Sequence, residues 1–179
     1  MGRFYFKDKR VDRLARKKGY TSYEIFYSPI SLWISYYISM LFITITSIGF
    51  FFIDYWLECA IFLLSAYLAA AYLNHSFIVT QDKLIIVNTN FPFTKTTVYN
   101  LSEIEDIDIN KSGLIPGLMF PFFILVGNYV RVNAHNKSKR FYCVCLQTEC
   151  YDENHTAKTI EDLTNALGNQ GLIVHFELY

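Results

Sequence analysis

The chain has 179 residues, of which 53% are hydrophobic and 18% aromatic, and its sixteen basic side chains balance sixteen acidic ones. Four cysteines, one of them inside an apolar run, give no disulfide framework, and eight scattered glycines give no phosphate-cradling loop. No Gly-x-Ser-x-Gly or His-Glu-x-x-His pattern occurs, so the composition points away from an enzyme and towards a membrane-associated binding protein.

The charge balance is uneven along the chain. Residues 1–28 form a basic segment. Arg3, Lys7, Lys9, Arg10, Arg13, Arg16, Lys17 and Lys18 are opposed only by Asp8 and Asp12 before residue 19. Val11 and Leu14 give a thin apolar edge to a basic helix that could lie on a membrane. Lys and Arg collect on cytoplasmic flanks, which places the N-terminus in the cytoplasm. No nucleic-acid-binding fold follows the segment, so no nucleic-acid partner is expected.

Residues 29–74 predict a two-helix transmembrane hairpin. Pro29 to Ile53 is free of charge for 25 residues, longer than the roughly 20 that a bilayer core needs. The first helix is expected to end near Ser47–Gly49, with Phe50–Ile53 as the turn and Asp54 as the next N-cap. Tyr55 to Leu73 supplies the second helix, with Glu58 near its start. Trp33, Tyr55, Trp56 and Tyr72 suit the interfaces. Ser31, Ser35 and Ser39 on one helix, and Ser65, Ala66, Ala69 and Ala70 on the other, permit close packing within the hairpin or between copies. Two spans return the rest of the chain to the cytoplasm and predict a multi-pass inner-membrane protein.

Residues 75–179 predict a small, mainly β domain, making the whole chain α+β. Strands are expected at Phe77–Thr80, Leu84–Val87 and Thr94–Tyr99. A helical turn near Asn100 or Ser102 should lead into a strand at Ile107–Asn110. Phe123–Val132 and Phe141–Leu146 read as an antiparallel pair joined by a polar, basic link, Asn133–Arg140. Thr156–Leu167 has helical periodicity, with Thr156 or Asn154 as cap and Gly168 as stop. Leu172–Leu178 alternates weakly as a last strand.

Within this domain, Thr80-x-Asp82-Lys83-Leu84 follows the first strand, and Leu101-x-x-Ile104-x-x-Ile107-x-Ile109 follows the third. Together with the layout of hairpin, strands and C-terminal helix, these segments resemble the bacterial pleckstrin-homology-like (PH-like) membrane proteins. The resemblance implies a β-sandwich or partly open barrel, capped by one helix, beneath the membrane and used as a protein- or lipid-interaction scaffold. The first hairpin turn offers only Lys83 beside Asp82, so no lipid-headgroup site carries over to it.

Two surfaces are candidates for contact. Arg131, His135, Lys137, Lys139 and Arg140 form the best anion-binding set. Leu118, Met119, Phe120, Phe122 and Phe123 lie in a linker too apolar for an ordinary loop and suit a membrane or a protein partner, or else plug the domain. Cys143, Cys145, Cys150 and His155 are zinc-type ligands, but their spacing fits no familiar zinc motif and buried core thiols explain them as well. No cofactor or metal is expected. The expected partners are membrane lipid and either another protein or a second copy. The alternative is a cyclic-nucleotide-sensing membrane effector of a bacterial defence system that oligomerises through its hairpin.

Overall fold

The structure is a computed structural model and describes residues 9–27, 64, 67–68, 71–112, 127–143, 146 and 158–177. Its organising feature is a pair of four-stranded sheets. The first contains β1 (Tyr23–Phe26), β2 (Ser76–Thr80), β3 (Lys83–Asn88) and β4 (Lys95–Asn100), in that spatial order and antiparallel throughout. The runs Phe77-Ile78-Val79 and Leu84-Ile85-Ile86-Val87 have no polar alternation, which suits strands covered on both faces. Both strands meet that condition. Phe77, Val79, Leu84 and Ile86 enter the main core, while Ile78, Ile85 and Val87 pack on the other face against helix α1 (Lys9–Lys17).

Thr80 makes the β2–β3 turn. Its hydroxyl donates to Asp82 at 3.0 Å and accepts from the Lys83 amide at 2.9 Å. This is the local chemistry that short Thr and Asp side chains bring to turns.

Helix α1 is amphipathic at one narrow stripe. Val11 and Ala15 are fully buried on the first sheet, and the basic side chains Arg13, Arg16, Lys17 and Lys18 stay exposed. The apolar edge of this helix therefore faces protein. Tyr27 donates to Asp12, which ties the helix to the end of β1. Strand β1 itself was not anticipated from sequence.

A 3-10 turn (Leu101–Glu103) leads into the second sheet. There β5 (Ile104–Ser112), β6 (Gly127–Ala134) and β7 (Lys137–Tyr142) are antiparallel neighbours, and β8 (Val174–Glu177) runs parallel to β5. Ile107, Ile109, Val130, Val132 and Phe141 face the first sheet across one core. Helix α2 (Ile160–Asn169) brings Ile160, Leu163, Ala166 and Leu167 to the same core. Contacts of α2 with β1 and β8 close that side of the sandwich. Thr159 caps α2 through a reciprocal box with Asp162, so the helix begins later than the Thr156 or Asn154 expectation.

The basic link expected at Asn133–Arg140 is mostly strand. Only His135 and Asn136 turn the chain, with φ of 51° and 60°. That backbone matches the twist of a two-residue hairpin. The sheets meet at an isolated bridge between Asn74 and Cys143; they form a sandwich and not a closed barrel. Among the described residues no helix is long and apolar enough to cross a membrane. The predicted spans lie outside the described residues apart from Leu64, Tyr67, Leu68 and residues 71–74.

Candidate functional site

Strand register defines two ends of the sandwich. At one end β1 finishes and β2 begins, with Phe26 paired to Phe77. There also β3 finishes at Asn88 and β4 begins at Lys95, while β5 finishes at Ser112 opposite Gly127 of β6. The Asn74–Cys143 bridge holds the second sheet at the same end. Residues 28–70 and residues 113–126 therefore both leave and rejoin the sandwich at this junction end. The opposite end carries Thr80–Lys83 and the His135–Asn136 turn.

The junction is built on Asn88, which is buried. Its amide donates to the Ala71 carbonyl at 2.8 Å and accepts from the Asn90 N–H at 2.9 Å. One side chain thus satisfies a carbonyl at the C-terminal end of a helical turn and fixes the β3–β4 loop. Tyr67 donates to the Phe91 carbonyl at 2.8 Å, and the Tyr72 ring meets Phe93 edge-on at 5.3 Å. Arg10 of α1 donates to the Thr89 carbonyl at 3.1 Å. Phe91, at the tip of this loop, is 76% exposed.

Beside the loop lies a cavity of about 350 Å³. It occupies the open side of the sandwich, between the edge strands β4 and β7, opposite the side that α2 closes. Tyr72, His75, Phe93, Lys95, Lys139 and Arg140 are on its wall, which includes no carboxylate among the described residues. Phe141 forms part of it, with His75 edge-on at 5.6 Å, Tyr99 at 6.2 Å and Lys139 Nζ 5.0 Å over its ring. The His75 Nδ1–H donates to the Tyr142 carbonyl at 2.9 Å. Burial lowers the His75 pKa from its ordinary 6.5; the Tyr142 hydrogen bond opposes that, and the charge of Lys139 lowers it further.

The five sequence-predicted basic residues divide into two groups. Arg131 pairs with Asp108 at 3.3 Å, half-buried, and His135 sits 3.7 Å from Glu103 at the far end. The Asn100 side-chain amide, chiefly, and His135 hold Glu103 below its ordinary carboxylate value. Lys137 lies exposed next to that turn. Of the five, only Lys139 turns its side chain to the cavity; Arg140 borders it but alternates to the outer face of β7, and among the described residues neither they nor Lys95 has a carboxylate partner. Arg140 stacks at 5.4 Å on Tyr129, a ring it shares with Arg131.

Lys95 was not among the predicted set. It is remote in sequence, and only the closure of the two sheets sets β4 beside β7. Leu118, Met119, Phe120, Phe122 and Phe123 lie outside the described residues. So do Cys145, Cys150 and His155. Cys143 is buried in the core, where its thiol and its N–H both donate to the Asn128 carbonyl. No group of three metal-ligand side chains occurs among the described residues.

No protein-family model, curated protein or solved structure matches this chain.

Proposed function

We propose that this is an integral inner-membrane protein in which a two-helix hairpin, residues 29–74, holds a PH-like β-sandwich against the cytoplasmic face as a protein- or lipid-interaction scaffold. The observation that carries the reading is the pairing of Phe26 with Phe77 in adjacent strands. A segment that starts and ends at one point of one sheet, and that enters a bilayer, must cross it an even number of times. The sequence between supplies two apolar runs of spanning length.

Three features support the orientation. The exposed Phe91 and Tyr72 lie at the junction end. The apolar 113–126 linker is tethered there, at Ser112 and Gly127. Arg10 and Lys95 add positive charge at the same end, where an anionic leaflet attracts it. A binding scaffold fits the site better than an enzyme, because among the described residues no nucleophile–base pair lines the cavity.

Reporter fusions test the topology. A reporter inserted at residues 50–53 should lie outside the inner membrane, and one fused after Tyr179 should lie inside. Both on one side contradicts the hairpin.

A second reading, a cyclic-nucleotide-sensing effector, rests on the rings of Tyr72 and Phe93 beside the cations Lys95 and Lys139. Saturating cyclic dinucleotide should then raise the melting temperature; no shift removes this reading.

A further inference from the structure

The cavity between β4 and β7 combines three properties. Among the described residues its wall holds the cations Lys95 and Lys139 and no carboxylate. Its inner surface is aromatic, through Tyr72, Phe93 and Phe141. Its rim continues directly into Phe91, 76% exposed, at the tip of the β3–β4 loop. About 350 Å³ is within the range of a small-ligand site.

Two cations in a half-enclosed space, with no carboxylate partner among the described residues, repel one another and favour an anion. Burial accounts for most of the lowering of His75, and the Lys139 charge adds to it. A soluble anion accounts for the cations alone. A molecule with an anionic head joined to an apolar tail accounts for the cations and for the exposed aromatic rim. Position points the same way. Tyr72 closes the helical turn that precedes the sandwich, and Tyr67, five residues earlier, is bonded to the Phe91 carbonyl. If residues 55–73 span the bilayer, the cavity mouth sits at the depth of lipid phosphates.

We propose that this cavity binds the phosphate of an anionic phospholipid, contacted by Lys95 and Lys139, with Phe91 and Phe93 against the first segment of its acyl chains. The proposal rests on the membrane-anchored reading above and names the ligand class of that site. Such a lipid fixes the sandwich to the leaflet at a second point beyond the hairpin.

The test uses the full-length protein extracted in mild detergent, with retained lipid measured by native mass spectrometry after exposure to mixed phosphatidylglycerol and phosphatidylcholine. The wild type should retain one phosphatidylglycerol in preference to phosphatidylcholine. Each cation is expected to contribute about fivefold, so K95Q/K139Q should lose roughly twenty-fivefold of the preference. The single variant K139Q, at an exposed side chain, should lose about fivefold and guards against misfolding of the double variant. R13Q/R16Q removes the same charge from exposed positions of α1 and should leave the preference intact.

Equal retention of the two lipids by the wild type overturns the proposal, as does unchanged preference in the double variant. So does a loss of preference in the α1 variant as large as in the cavity variant. Inorganic phosphate and a cyclic dinucleotide are titrated in parallel. Saturable binding of either that is lost in the cavity variant, with no lipid preference, assigns the cavity to a soluble anion instead. Failure of the anchored reading is distinct: alkaline carbonate would then release the protein from the membrane pellet, whatever lipid it retains.

Discussion

Replacing Asn88 with Ala should loosen the joint between the sandwich and the helical turn that precedes it. Asn88 is 1% exposed, so water does not substitute for its bonds without a structural opening. Truncation leaves the Ala71 carbonyl and the Asn90 N–H without the partners they have at 2.8 and 2.9 Å. A buried group stripped of its hydrogen bond costs about 1–3 kcal/mol. Two such groups, with some relaxation, give a loss of about 2–4 kcal/mol. Asn88→Asp is the informative control. It keeps an acceptor for Asn90 but turns a carboxylate towards the Ala71 carbonyl, so it should cost at least as much as Ala. The assay is equilibrium urea unfolding of the full-length protein in detergent, followed by the circular dichroism of the sheets, with the slope compared between variants. A loss below about 0.5 kcal/mol for Ala, or wild-type stability for Asp, refutes the assignment of these bonds.

Other outcomes follow from single residues. Thr159→Ala removes the reciprocal cap of α2 and should cost about 1 kcal/mol, read as a lower melting temperature. Leu163→Ala opens a fully buried position between α2 and both sheets, and should cost about 2–5 kcal/mol in the same assay. At the β6–β7 turn, Asn136→Gly should be neutral or slightly stabilising, whereas Asn136→Val must hold a φ of 60° and should lose about 1–2 kcal/mol. For His75 the folded pKa lies below the ordinary 6.5, so the unfolded chain binds more protons between those two values. Its contribution to stability is therefore complete above about pH 6.5 and is lost as pH falls through the folded pKa. Unfolding at a series of pH values should show that slope, and His75→Phe should flatten it. The groups facing His75 are Lys139, the Phe141 ring and the Tyr142 carbonyl. Among these described groups only Lys139 is a charged side chain.

Much of the fold was legible because its signals are local. The Thr80–Lys83 turn and the apolar runs flanking it define the β2–β3 hairpin without help from the rest of the chain. The α2 periodicity is equally plain, although its cap was placed too early. Thr159 and Asp162 carry the reciprocal capping pattern at the right spacing, and that signal outranks an isolated Thr156. What could not be read locally was hidden by context. Tyr23–Phe26 is four residues long and borders the predicted span, so nothing marks it as a strand until β2 returns beside it. Lys137–Arg140 is a strand whose four side chains are all exposed at a sheet edge; without a buried face it has no alternation to detect. The site divides in the same way. Lys139 was visible within a basic cluster, but the cluster mixed it with Arg140, which stacks on Tyr129, and with Arg131 and His135, which face Asp108 and Glu103. Lys95 completes the cavity only through the meeting of two sheets, which no spacing in the chain records.

The central claim is that the sandwich faces the membrane with its junction end. A photoreactive amino acid placed at position 91, and separately at position 136, in the full-length protein in its native membrane tests this directly. Adducts are identified by mass after irradiation. The account predicts lipid adducts at position 91 and none at position 136. Equal lipid labelling at both positions, or none at position 91, contradicts it.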